Sequence, residues 1–250
     1  MLDTVRSEGR KLGTLPVIPT ALLTTLAVMV GLAAMISVTT VGGLDDNPEW
    51  AAAFDPLADG FQTIHFGQIG MVVLGVLAVS GEYSGAQIRT SLLAVPGRGR
   101  FLASKALVVA LMALVTAAVT VPVVMVATQV GLGDYGLPLA DVLEADVLER
   151  MAGAALYWVL IALLAAGLTV IVRNAVVPIA VLGAMVMALS MFLATFTELA
   201  EWLPDRAGSL MYMPLENPLD LTAVQGGAVM AAWVAAVWLV AVVLFRRRDA

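Results

Sequence analysis

Residues 102–130 read LASKALVVALMALVTAAVTVPVVMVATQV. Beyond Lys105 the run holds no charge, and Ala, Val, Leu and Met fill most positions. A helix needs about 20 such residues to cross the hydrocarbon core of a bilayer. In lipid the backbone must satisfy itself, and an unbroken apolar run without period-two alternation does so as a helix. The run exceeds about 20 residues, so the helix tilts or extends a turn beyond the bilayer. Pro122, inside it, is expected to kink it.

Working outward, five more runs of this kind lie at 17–41, 61–80, 152–172, 175–197 and 227–245. The first has too long an apolar stretch for a signal peptide and no Ala-x-Ala site after it, so it reads as an uncleaved anchor. The chain has 250 residues, 61% hydrophobic and 13% charged. Soluble domains are about 45–50% apolar and about 25% charged, so a soluble globule is excluded. The expected fold class is an all-α polytopic membrane protein of six spans, with residues 1–250 forming a single transmembrane domain.

The arginines orient it. With the N-terminus inside, the inner segments carry Arg6, Arg10, Lys11, Arg89, Arg98, Arg100, Lys105, Arg173, Arg246, Arg247 and Arg248, which is 11 of the 13 basic residues. Arg150 and Arg206 remain outside. Basic residues stay on the cytoplasmic side during insertion, so the chain is expected to be N-in and C-in. Lys105, near an inner span end, is expected to snorkel. Residues 1–16 place Leu2, Val5, Gly9 and Leu12 on one helical face, fitting a basic amphipathic helix on the inner leaflet.

The composition also removes chemistries. The chain has no Cys and one histidine, His65, which excludes disulfides, thiolate catalysis and zinc sites built on His or Cys. A net charge of −6 argues against a nucleic-acid partner. Ser80 lies 15 residues after His65, about 22 Å along a helix, too far for a dyad. G-x-S-x-G and the phosphate-cradling G-x-x-x-x-G-K-[ST] are both absent. No catalytic, metal or cofactor-binding residue is therefore expected. Within the spans the polar pair His65 and Gln68, one turn apart, has two readings. Either both satisfy neighbouring helices, the commoner role of buried polar groups, or they line a substrate path. The stripes Gly227, Ala231, Ala235 and Ala228, Ala232, Ala236 allow close helix approach, within the chain or between copies. The outer loops, including the Pro-interrupted 198–226, read as caps over the spans. Pro138 is expected to open a short interfacial helix in the second of them.

The inner loop between spans two and three reads SGEYSGAQIRTSLLAVPGRGR over residues 80–100. Gly81 is expected to break the span and Pro96-Gly97 to form a turn. Between them Ile88, Leu92 and Val95 share a helical face, so a short amphipathic helix is expected on the inner surface. Topology alone would need only a few arginines, and a folded surface helix implies that something docks there.

Glu82-Tyr83, Gly85, Ile88-Arg89-Thr90, Leu92-Leu93, Pro96, Arg98, Arg100 and Lys105 resemble the corresponding loop of bacterial ABC-2 type permeases, often written E-Y-x-x-G-x-I-R-T-x-L-x-A-V-P-x-R. The likeness covers about 25 residues, and the six-span plan agrees with it. Gly97-Arg98-Gly99-Arg100 is more glycine-rich than that pattern. The resemblance implies the membrane subunit of an ATP-driven exporter in the bacterial inner membrane, with membrane lipid around it. It implies a second permease copy and separate P-loop subunits that bind ATP and Mg. It also implies a coupling helix over 82–95, making Glu82, Tyr83, Gly85, Ile88, Arg89, Thr90, Leu93, Pro96 and Arg98 the ATPase-facing residues. Spans free of charge suit an amphipathic or apolar substrate. The rival reading is an ATP-independent channel or secondary transporter, which would use the inner loop only for topology.

Overall fold

The computed structural model describes residues 17–83, 97–213 and 218–247, which form helices without strands. The expected N-terminal helix (1–16) and the inner-loop segment with Gly85, Ile88, Arg89, Thr90, Leu93 and Pro96 lie outside the described residues.

Six helical spans are long and apolar enough to cross a membrane. The first is α1 (Val17–Asp46), followed by the short α2 (Pro48–Ala52). The second is split into α3 (Pro56–His65) and α4 (Gln68–Tyr83). The third is α5 (Arg98–Gly131), continuous through Pro122. After α6 (Leu139–Val142), which Pro138 opens as expected, comes the fourth, α7 (Ala145–Val172). The fifth joins α8 (Val176–Ala184), a π-helical turn (Met185–Leu189) and α9 (Ser190–Ala194). A 3₁₀ turn (Glu198–Trp202) and α10 (Pro204–Ser209) precede the sixth, α11 (Ala223–Arg247). All six expected runs fall on these helices.

Local chemistry sets several ends. Asp55 caps α3, its carboxylate accepting the backbone N–H groups of Leu57 at 2.9 Å and Ala58 at 3.2 Å, with Pro56 at the first helical position. Arg173 takes the left-handed conformation (φ 57°) that ends α7, and the Asn174 side chain accepts the Val176 N–H at 2.6 Å. Spans four and five therefore turn within a few residues.

The fourth span is the hub: α7 packs against α4, α5, α8 and α11. The backbones of α4 and α7 nearly touch, since a Cβ on Gly75 would lie 2.2 Å from the Ala162 carbonyl oxygen. Spans two and four are the most buried, and spans one, five and six the least. In α11 the packed stripe is Gly226, Met230, Val234, Ala241 and Phe245. Of the expected small-residue stripes, Gly227 packs within the chain, against Met211, while Ala228, Ala231, Ala232, Ala235 and Ala236 are exposed.

Two further expectations are corrected at the inner end. Gly81 does not break the span, because α4 runs through it to Tyr83, with open space beside it. Lys105 does not snorkel. It is buried, and its Nζ donates to Glu82 Oε1 at 3.0 Å and to the Ala78 carbonyl at 3.1 Å. Glu82 is equally buried, so the pair offsets the cost of taking each charge out of water.

Candidate functional site

The second span breaks at Phe66-Gly67, beside the polar pair singled out in the sequence. There the backbone tightens: Phe66 and Gly67 donate to Thr63 and Ile64, three residues back, at 3.2 and 3.0 Å. Gly67 is required by contact rather than by turn geometry, because a Cβ there would stand 2.0 Å from the Trp158 ring. The break lies about 14 Å along the helix from Pro56, well inside the bundle.

Four side chains meet at the break. Tyr157 donates its hydroxyl to Gln68 Oε1. The Gln68 amide nitrogen then donates to His65 Nε2 at 2.9 Å. His65 Nε2 is therefore an acceptor, which leaves its proton on Nδ1, 2.7 Å from the Tyr212 hydroxyl. Gln68, Tyr157 and Tyr212 are fully buried, and His65 is partly so. His65 and Gln68 thus satisfy neighbouring elements, and His65 also faces a cavity. Tyr157 and Tyr212 escaped the sequence reading, since nothing in their spacing ties them to His65.

The loop before the last span supplies Tyr212 and is more than a cap. Pro204, Asp205, Ala207, Gly208 and Ser209 are buried. A Cβ on Gly208 would come 2.7 Å from the Tyr157 ring, and one on Gly226 would come 2.2 Å from the Ala207 carbonyl oxygen. The segment therefore dips between α7 and α11, reaching a residue about 18 Å along α7. Arg150 braces it, donating Nε to the Tyr212 carbonyl at 3.0 Å while lying over the Phe61 ring at 4.1 Å. Arg206 pairs with both oxygens of Glu201, at 3.1 and 2.6 Å. Asp205 accepts the Ser190 hydroxyl at 2.8 Å. Burial pushes the Asp205 carboxyl up to about 6.

Between these parts is a cavity of about 560 Å³, lined by Gln62, His65, Phe66, Met185, Val186, Met187, Ala188, Met191, Asp205, Arg206, Ser209 and Met213. Its walls are the broken second span, the π-helical turn of the fifth and the dipping loop. Both spans depart from α-helix where they line it, as helices often do at functional sites. A second cavity of about 580 Å³, more apolar, lies between spans one, two and five and shares Phe66 and Met187 with the first.

The expected ATPase-facing residues divide. Glu82 sits against Lys105, and Tyr83 donates to the Val170 carbonyl at 3.4 Å under the Arg173 guanidinium. Arg98 starts α5. The other six lie outside the described residues. No cluster of metal-ligating side chains occurs among the described residues. Compared with models of known protein families, the chain matches none, and no curated protein matches it. Fold and composition define a multi-pass helical membrane protein.

Proposed function

We propose that this chain is the permease subunit of an ATP-driven exporter of the ABC-2 type in a bacterial inner membrane, moving an amphipathic or apolar substrate. The observation that carries the reading is the run Glu82–Arg100, with Glu82-Tyr83, Ile88-Arg89-Thr90, Pro96 and Arg98 in the order such permeases use, on a six-span scaffold. A second permease copy completes the pathway, and separate P-loop subunits bind ATP and Mg. The chain itself is not an enzyme in this reading. The Glu82–Lys105 pair supports it mechanically: it joins the ends of spans two and three on either side of the loop, so a push on the loop reaches both.

A second reading, an ATP-independent secondary transporter, is favoured by one observation. Tyr157, Gln68, His65 and Tyr212 form a continuous hydrogen-bonded run in the bundle, within which His65 and Tyr212 are in direct contact and can exchange a proton. Purification separates the two. The chain should bring down a soluble ATP-binding protein in about equal amounts and hydrolyse no ATP alone. Arg89→Ala should leave insertion intact and sharply reduce both transport and co-purification, and Arg98→Ala should do less. Transport in vesicles containing no ATPase would overturn the exporter reading and favour the second.

A further inference from the structure

We propose that the cavity between the broken second span, the π-helical turn and the dipping loop takes a lipophilic cation, with Asp205 as its counter-charge. This rests on the transport reading for calling that cation a substrate, but not for its binding.

Charge is the first argument. Two ionised groups line the cavity, Asp205 and Arg206. Both nitrogens that Arg206 offers to Glu201 make a two-point pair with its carboxylate, so the guanidinium charge is already matched. Asp205 is only 6% exposed and accepts the Ser190 hydroxyl. Among the described residues it forms no ion pair. Ionised Asp205 and Glu201 against Arg206 leave one net negative charge at the wall. His65 does not cancel it, because its Nε2 lone pair is taken by the Gln68 amide. An anion would meet this carboxylate directly. A neutral apolar guest would cover it with no opposite charge, which is costly.

Shape and surface are the second. About 560 Å³ lies within the range of sites for drug-sized molecules, roughly 300–1,000 Å³. Met185, Met187, Met191 and Met213 give a soft, polarisable, adaptable wall. Phe66 also lines the cavity, and an aromatic ring can attract a cation. A bulky quaternary or phosphonium head with apolar substituents fits both features, and a small hydrated metal ion fits neither.

The test uses the purified full chain in nanodiscs, without ATP or ATPase, and tetraphenylphosphonium as probe. Saturable binding is expected at pH 7.5, with the equal-sized anion tetraphenylborate weaker by about tenfold or more. Asp205→Asn should weaken cation binding by about tenfold, and Asp205→Glu should retain most of it. Met187→Lys, at a half-exposed wall position, should weaken it similarly while eluting as the parent does, so the outcome does not hang on Asp205 and folding. The probe does not titrate, so lowering the pH from 7.5 to 5 should reduce binding by about tenfold as Asp205 takes up its proton. The titratable or charged groups near Asp205 are His65 from α3, Tyr157 from α7, and Glu201, Arg206 and Tyr212 from the loop; span five brings only the Ser190 hydroxyl, and among the described residues span six brings no titratable side chain to it. The pH dependence should vanish in Asp205→Asn. If it persists, a neighbouring group is its source and the assignment to Asp205 fails. Equal binding of the anion, unchanged binding by Asp205→Asn, or no binding at all would each overturn the proposal. None of these outcomes touches the exporter reading, which stands or falls on co-purification of an ATPase.

Discussion

Lys105 and Glu82 are the most consequential charged residues of the described bundle. Both are nearly inaccessible and each contacts the other at 3.0 Å. Removing one partner of a buried pair leaves the other charge uncompensated, at a cost of about 3–5 kcal/mol. Lys105→Met should therefore lower the thermal midpoint of the purified protein markedly, whereas Lys105→Met combined with Glu82→Gln should regain much of the loss. A midpoint equally low in both variants would show that Lys105 acts through other contacts. The pairing was hidden from sequence reasoning because its members are separated by 23 positions and a loop. A lysine near a span end reads as snorkelling until its partner helix is placed. His65 and Gln68 show the same limit. Their mutual spacing was legible on one helix, but Tyr157 and Tyr212 arrive from elsewhere in the fold.

At the scale of elements, the six spans were legible because each is a long apolar run, and the amount of apolar surface decides membrane insertion. The departures from α-helix were not. Pro122 lies inside a span whose helix is not interrupted by it. The breaks at Phe66-Gly67 and Met185–Leu189 contain no proline. At the first, the Trp158 ring fills the space a side chain at Gly67 would need, a contact set by the fold and not by the local sequence. Two glycines of α4 test this dependence on neighbours. Gly75→Ala drives a methyl onto the Ala162 carbonyl oxygen and should destabilise by about 1–3 kcal/mol, as overpacking does. Gly81→Ala meets open space and should stabilise by up to about 1 kcal/mol through helix propensity. Equal effects of the two in thermal unfolding would remove the close α4–α7 contact from the account.

The whole molecule has a tight centre, spans two and four, and looser flanks, spans one, five and six. The absence of cysteine lets its orientation be read by single Cys substitutions at exposed positions. Ala53→Cys, Asp134→Cys and Asp220→Cys should react with a membrane-impermeant thiol reagent on intact cells, and Arg100→Cys only after permeabilisation. Labelling of Arg100→Cys from outside would invert the topology and remove the inner loop as a docking surface.

The order in which the chain is made gives the central cluster a further consequence. Glu82 and Lys105 are close enough in sequence to leave the ribosome as one helical hairpin, each already matched by the other. His65 and Gln68 can match each other at once, but their remaining partners come late: Tyr157 follows Gln68 by 89 residues, and Tyr212 follows His65 by 147. During biosynthesis the second span must wait in lipid or in the insertion machinery without the two tyrosines that complete the run. The dipping loop closes the cluster only after five of the six spans have been made, so the centre of the bundle is finished late in its assembly.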